Sequence, residues 1–234
     1  MRHPAISVLH IGKTGGTALK DGLYAYVTRT GDRRFDLHRH EDTLEKIWAD
    51  QPDKPVFFAV RDPISRFVSG FNSRLRHGRP RYDVAWTDSE TIAFSRFTSP
   101  NALGEALGGG EHQDLAVAAM SQIRHVSTQL NDWLVSPAYL EQHAGKILYI
   151  ARQSELSADE AQICEVLGVP APLLAKDDIG AHRTPAGMTT GLSDLAKTNL
   201  ARWFARDFAI YDWCLERRRA SGWGQPSAAR SARA

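Results

Sequence analysis

Lys13-Thr14-Gly15-Gly16-Thr17 sets a lysine, two glycines and two threonines directly behind an apolar run, Ile6-Ser7-Val8-Leu9-His10-Ile11. A glycine-rich turn between a buried strand and a helix start aims several backbone N–H groups at one spot, with the positive end of the helix behind them. Such a nest binds an anion, most often a phosphate. Lys13 adds a mobile positive charge. Gly12-Lys13-Thr14 is similar to part of the nucleotide-triphosphate P-loop, but that loop needs a glycine where Ser7 stands. The turn is therefore shorter, with both glycines after the lysine. A second strand-to-helix junction follows at Arg61-Asp62-Pro63-Ile64-Ser65-Arg66-Phe67-Val68-Ser69. The planar fork of Arg61 suits a phosphate. Ser69, further along the same helix, can offer its hydroxyl to the same group. Arg66 either pairs with a carboxylate or extends the anion site.

Residues 13–17 and 61–69 resemble, in order and context, the two nucleotide-binding segments of sulfotransferases that use 3′-phosphoadenosine 5′-phosphosulfate (PAPS). One is a Lys-Thr-Gly-Gly-Thr-like loop for the 5′-phosphosulfate; the other is an Arg-Asp-Pro-x-x-Arg-x-x-Ser segment for the 3′-phosphate. The chain is most similar to the heparan sulfate 2-O- and 6-O-sulfotransferase branch and its small bacterial relatives. Weaker likeness extends over Leu148–Gly168 and the helix ending Ile210-Tyr211-Asp212-Trp213. The resemblance implies PAPS as donor, 3′-phosphoadenosine 5′-phosphate (PAP) as product and an acceptor hydroxyl, most readily on a carbohydrate. It implies Lys13, Thr14, Gly15, Gly16, Thr17, Arg61 and Ser69 as the nucleotide-binding set, with Lys13 also serving the leaving group. Transfer is then in-line, by positioning and electrostatics, and requires no metal.

Between the two segments lies His38-Arg39-His40. An acceptor hydroxyl has a pKa far above neutrality, so a general base helps its attack, and histidine suits that work. The 2-O branch resembles this chain here, with a His-x-His at a similar distance ahead of its Arg-Asp-Pro segment. That likeness makes His40 the base and His38 its nearest rival or assistant. If the segment is an extended strand, both point to one face. No Cys or carboxylate joins them at a metal-ligand spacing. Relatives bring a late polar loop over the nucleotide; Arg183 and Thr184 fill that place, although the usual Asn is missing. Arg74, Arg76, Arg79 and Arg81 surround Gly78 and Pro80, and Arg74 and Arg76 are the candidates for holding an anionic acceptor.

These residues need a frame that brings the two junctions together. Strands are expected at residues 6–11, 56–60 and 146–151, the first two each running into a helix. Asp62 is a good N-cap and Pro63 suits the first helical position. Helices are also expected at residues 43–49, 116–134 and 158–167, with a long aromatic helix over residues 192–219. Residues 29–42, 77–114 and 176–191 read as polar or loop-rich, and substrate choice is expected within residues 72–135. Alternating strands and helices imply an α/β domain with a central parallel sheet, helices on both faces and P-loop-like nucleotide-binding architecture. In such sheets ligands gather at the carboxyl ends of the strands, where Lys13 and Arg61 converge. One domain is expected over residues 1–220, with a disordered tail from Ser221 to Ala234.

The 234 residues suffice for one such domain. A net charge of +2 is too mild for general nucleic-acid binding, though a local basic patch can serve an anionic ligand. Cys164 and Cys214 lie in apolar helical patterns and read as buried free thiols. No apolar run is long enough to span a membrane, and no signal pattern opens the chain, so the cytoplasm is the expected compartment. Two other readings share the phosphate-type turn. A kinase-like phosphotransferase would need Mg²⁺ and an acidic ligand after a strand, a place where Asp62 reads as a cap. A non-catalytic nucleotide-binding protein would keep the pocket without turnover.

Overall fold

The computed structural model of the protein describes residues 5–174 and 188–224. Four strands, β1 (Ile6–Val8), β2 (Phe35–Leu37), β3 (Val56–Val60) and β4 (Ile147–Arg152), form one sheet in the order β2-β1-β3-β4. Every pairing is parallel. The helices are α1 (Gly16–Thr30), α2 (Leu44–Asp50), α3 (Pro63–Leu75), α4 (Asp88–Arg96), α5 (Pro100–Ala106), α6 (Gln113–Gln122), α7 (Leu130–Leu134), α8 (Pro137–Gln142), α9 (Glu160–Leu167), α10 (Asp194–Trp203) and α11 (Ala205–Ala220).

All five residues of β3 are buried, as a strand covered on both faces requires. Val56, Phe58 and Val60 meet Leu44, Ile47 and Trp48 of α2 and Ile210 and Cys214 of α11. Phe57 and Ala59 face the other way, into Leu19 and Leu23 of α1 and Ile163 and Leu167 of α9. Helices therefore cover both faces of the sheet. Each fully buried apolar side chain of this kind contributes ~1.5–3 kcal/mol. A third cluster joins α3, α4, α5, α6 and α10 around Phe67, Phe71, Phe94, Leu103 and Phe204.

The chain leaves β1 for β2 on one side, while β3 lies on the other. The sheet thus changes direction between β1 and β3, and a crevice opens at their carboxyl ends. Both motif junctions empty into it. The second is built as its residues suggest: Asp62 caps α3, its Oδ1 accepting from the Ser65 N–H at 2.7 Å, and Pro63 is the first helical residue.

Several elements differ from the sequence expectation. β1 ends at Val8 rather than Ile11. β2 lies inside the stretch read as polar, because a three-residue edge strand with Asp36 at its centre carries almost no pattern. The expected helix over 116–134 is broken between Gln122 and Leu130. The aromatic helix is broken at Phe204. Residues 221–224, placed in the tail, form a turn in which the Trp223 ring packs 5.2 Å from that of Tyr149. Both cysteines are buried free thiols, as expected. Among the described residues no helix is long and apolar enough to cross a membrane.

Arg74 of α3 and Glu90 of α4 form a two-pronged buried ion pair, 2.7 Å from Nε and 2.6 Å from Nη2. Burial alone would raise the Glu90 carboxyl; the bonds from Arg74 and from the backbone N–H groups of Thr87 and Arg124 prevail and hold it at about 2. Removing one partner leaves the other charge buried and alone. Glu90→Ala is therefore expected to cost ~3–5 kcal/mol of stability, seen as a lower midpoint in urea unfolding.

Candidate functional site

A cleft of about 610 Å³ lies over the β1 and β3 strand ends. Its wall on the β1 side is the glycine turn. Lys13 and Gly15 both adopt left-handed backbone, with φ of 67° and 86°. Gly15 is the N-cap of α1 and offers no side chain, so no side-chain cap meets the first N–H groups of that helix, and its first turn holds no acidic residue. That combination leaves an electropositive backbone cradle open to the cleft. Neither glycine tolerates a Cβ. One at Gly15 would collide with Leu156, and one at Gly16 would stand 2.5 Å from Cδ2 of His10.

Thr14 lies inside the turn, fully buried, and its hydroxyl donates to the Ile11 carbonyl at 2.9 Å. It braces the loop instead of presenting its hydroxyl to the cleft. Thr17 lines the cleft.

Arg61 and Ser69 form part of the β3 side. Arg61 donates through Nε to the Ser65 hydroxyl at 2.9 Å and through Nη1 to the carbonyl of Lys13 at 3.4 Å. The two motif cations are therefore adjacent. Among the described residues neither has a carboxylate partner within ion-pair distance. Burial, then the neighbouring Arg76, Arg61 and Arg66, push the Lys13 ammonium down to about 7. Burial also lowers Arg61, partly offset by Asp62.

Among the described residues Arg66 has no ion-pair partner, and it does not line the cleft. Fully enclosed, it donates to the Gly12 carbonyl at 2.8 Å and to the Thr128 carbonyl at 2.7 Å, with its guanidinium 5.0 Å over the Trp133 ring. Burial lowers it to about 10, which leaves it charged at neutral pH. It ties the glycine turn to the segment between α6 and α7. Trp133 adds a second tie, donating from Nε1 to the His40 carbonyl at 2.7 Å.

Four histidines border the cleft, His10, His40, His77 and His125, and three of them cluster together: His10, His40 and His125. The rings of His10 and His40 lie 3.9 Å apart and tilted, and those of His40 and His125 are 6.2 Å apart. His40 keeps an exposed edge, while partial burial lowers its pKa below the usual imidazole value, opposed by a hydrogen bond with the His10 backbone. His10 and His125 are more enclosed. Burial first, then neighbouring positive groups, bring both to about 3, so both are neutral at pH 7.

His38 does not share this place. Its Nε2 is 3.0 Å from the Ser7 hydroxyl and its Nδ1 is 3.3 Å from Asp42, and it is absent from the cleft wall. β2 ends at Leu37, so the strand alternation that would align His38 with His40 has stopped before either residue.

The arginine group is largely committed elsewhere. Arg74 reaches the cleft wall, but it is saturated by Glu90 and by the Val84 and Ala85 carbonyls. Arg76 donates to the carbonyls of Arg79 and Asn72. Arg79 pairs with Asp83 at 2.8 Å and Arg81 with Asp21 at 2.6 Å. An anionic acceptor held by Arg74 is thus not what the fold provides. Arg183 and Thr184 lie outside the described residues.

Sequence reasoning missed His10, His125, Lys20 and Gln153, all of which line the cleft. The only signal for His10 was a polar residue interrupting an apolar run. His125 had none, since it fell inside an apparent helix. Among the described residues no three His, Cys, Asp or Glu side chains are grouped so as to hold a metal ion.

The family model described as the sulfotransferase family matches residues 2–213. A crystal structure of a sulfotransferase from Alicyclobacillus acidocaldarius is similar with a TM-score of 0.41 and 14% identity, over 88% of this chain and 93% of that chain. No curated protein matches the chain.

Proposed function

The chain belongs to the sulfotransferase family, and from that premise we propose that it moves a sulfuryl group from PAPS to an acceptor hydroxyl, on a carbohydrate. The observation that carries the reading is the pair of half-buried cations, Lys13 and Arg61, side by side at the sheet's switch point without a carboxylate. Buried charge without a partner is costly. A doubly anionic ligand relieves it, and PAPS carries anionic groups at both ends of its ribose. The cleft volume of about 610 Å³ falls within the range of small-molecule sites, ~300–1,000 Å³. The likeness of the His40 segment to the 2-O branch supports a carbohydrate acceptor.

PAPS, when bound, supplies a sulfuryl group already activated by its phosphosulfate anhydride. The chain does the rest. Backbone N–H groups of Gly15, Gly16 and Thr17, with the Thr17 hydroxyl, hold the 5′-phosphosulfate end. Arg61 and Ser69 hold the 3′-phosphate. His40 accepts the proton of the attacking hydroxyl, and Lys13 meets the negative charge that develops on the departing bridging oxygen. His40 takes this role ahead of His38, whose ring is engaged by Ser7 and Asp42 away from the cleft. Positive potential comes from Lys13, Arg61 and the α1 terminus, so the scheme draws on no metal.

The two groups titrate on opposite sides of the working range. His40 must be deprotonated, and its value lies below 6.5, so the acid limb of the rate profile should fall in that region. Lys13 must be protonated, and in the free protein its value is about 7. The profile of kcat/KM is therefore expected to be a narrow bell that already declines above pH 7. A bound anion raises the Lys13 value, so the alkaline limb of kcat should move to higher pH. The direct test of the activity is transfer of labelled sulfate from PAPS to a panel of carbohydrate acceptors with and without EDTA. Transfer that survives chelation supports sulfuryl chemistry; transfer from ATP that requires Mg²⁺ would replace it with a phosphotransferase.

A further inference from the structure

We propose that His125 is a further catalytic residue of this site: its imidazole N–H donates a hydrogen bond to an oxygen of the sulfuryl group held over the Lys13 turn. The inference rests on the sulfuryl-transfer reading and extends it to a residue that neither the motifs nor the helical pattern marks.

Four observations place His125 there. First, its backbone is left-handed, with φ of 67°, in a residue other than glycine. Such conformations persist only where the surroundings impose them, and they gather at functional sites.

Second, the surroundings do impose it. Ile123 and Val126, on either side, are buried in the helical cluster. Arg66 grips the Thr128 carbonyl. Gly70 of α3 lets the segment approach so closely that a Cβ there would stand 3.0 Å from the His125 carbonyl oxygen.

Third, the ring borders the cleft, yet among the described residues its nitrogens have no hydrogen-bond partner. Those nitrogens are open to the cleft, so a donor and an acceptor stand free there for a bound group.

Fourth, the ring sits at the reacting end. Its Nδ1 lies 3.8 Å from the point a Cβ of Gly12 would occupy, and Nδ1 of His40 is at the same 3.8 Å from that point. The two imidazoles thus flank the residue that immediately precedes Lys13. His10 is a poorer candidate, because its ring is packed between Gly16 and His40.

Burial and the nearby Lys13 keep His125 uncharged at neutral pH. An uncharged imidazole retains one N–H donor and one acceptor nitrogen. His125 forms no covalent bond in the reaction. As the acceptor oxygen bonds to sulfur, the bond from sulfur to the bridging oxygen breaks and its electron pair leaves with PAP. The acceptor proton goes to His40. His125 fixes the sulfuryl oxygens during this exchange.

The consequence is selective for PAPS over PAP, since only PAPS carries the sulfuryl group. Calorimetry with each nucleotide, on wild type, His125→Leu and His125→Asn, tests it. His125→Leu is expected to weaken PAPS about tenfold while PAP stays within about twofold, matching one lost hydrogen bond to a charged group. His125→Asn keeps an N–H donor and tolerates positive φ, so it should retain most of the PAPS preference. Transfer of labelled sulfate from PAPS to the acceptor should likewise fall in the leucine variant and recover in the asparagine variant. Should leucine prevent folding, His125→Gly, which suits the backbone angle, takes its place with the same expectation. Equal weakening of PAPS and PAP would reduce His125 to a packing residue and overturn the proposal, as would unchanged PAPS affinity. A wild-type chain that binds neither nucleotide would instead sink the sulfuryl reading itself.

Discussion

Lys13→Ala is expected to lower sulfuryl transfer by ~100- to 1,000-fold, the loss typical when a charge-stabilising group is removed from a reacting centre. The backbone demand of the turn does not change, because lysine and alanine both carry a Cβ at φ 67°. A fall in rate therefore reports the ammonium and not the loop. The same substitution should not destabilise the ligand-free protein. In the free fold Lys13 is held at about 7, below its value in an unfolded chain, because burial and three arginines oppose its charge. The unfolded state binds the proton more readily, so this residue gives the wild type a stability that rises with pH from about 7 toward 10.5. Lys13→Ala should flatten that rise while lowering turnover by the same ~100- to 1,000-fold. Thermal unfolding at several pH values reads one effect and labelled-sulfate transfer the other. A variant with near-normal turnover would contradict the role.

His40→Ala should cut turnover by ~100-fold or more, within the range general-base catalysis supplies, and leave PAP affinity unchanged. The distinction follows from position. His40 meets the cleft beside His10 and is held from behind by Trp133 through its backbone carbonyl, so removing the ring leaves the loop anchored. His38→Ala provides the contrast. Its ring links Ser7 of β1 to Asp42 at the β2 side of the sheet. Loss of that link should lower the unfolding temperature more than it lowers turnover. If His38→Ala gave the larger loss of turnover at unchanged stability, the base would have to be reassigned.

What could be read in advance divides along physical lines. The two junctions were legible because each joins a buried, mostly apolar strand to a recognisable helix start, a glycine turn at Gly15 and an Asp-Pro cap at Asp62. Both placed their cations in one cleft. Periodicity misled where buried residues keep helical spacing across a break. Ile123, Val126 and Leu130 recur as on one helical face, yet they reach the core from a loop and the start of α7. That false continuity concealed His125. Leu200, Phe204 and Phe208 bridge the α10–α11 break in the same way. The fate of Arg74 was not legible either, since its partner Glu90 is distant in sequence and is brought to it only by the packing of α4 on α6 and α3. Arg66 shows the opposite case: the motif marked the residue, but its donation to two carbonyls emerges only from the fold.

The most direct measurement is calorimetric titration of the wild-type chain and of Arg61→Ala with PAP and with ADP, which share the adenosine and differ in where the second phosphate is attached. Wild type should prefer PAP clearly, and Arg61→Ala should erase most of that preference while changing ADP affinity far less. Equal affinity of the wild type for both nucleotides, or a preference for ADP, would contradict the assignment of this cleft to a 3′-phosphorylated donor.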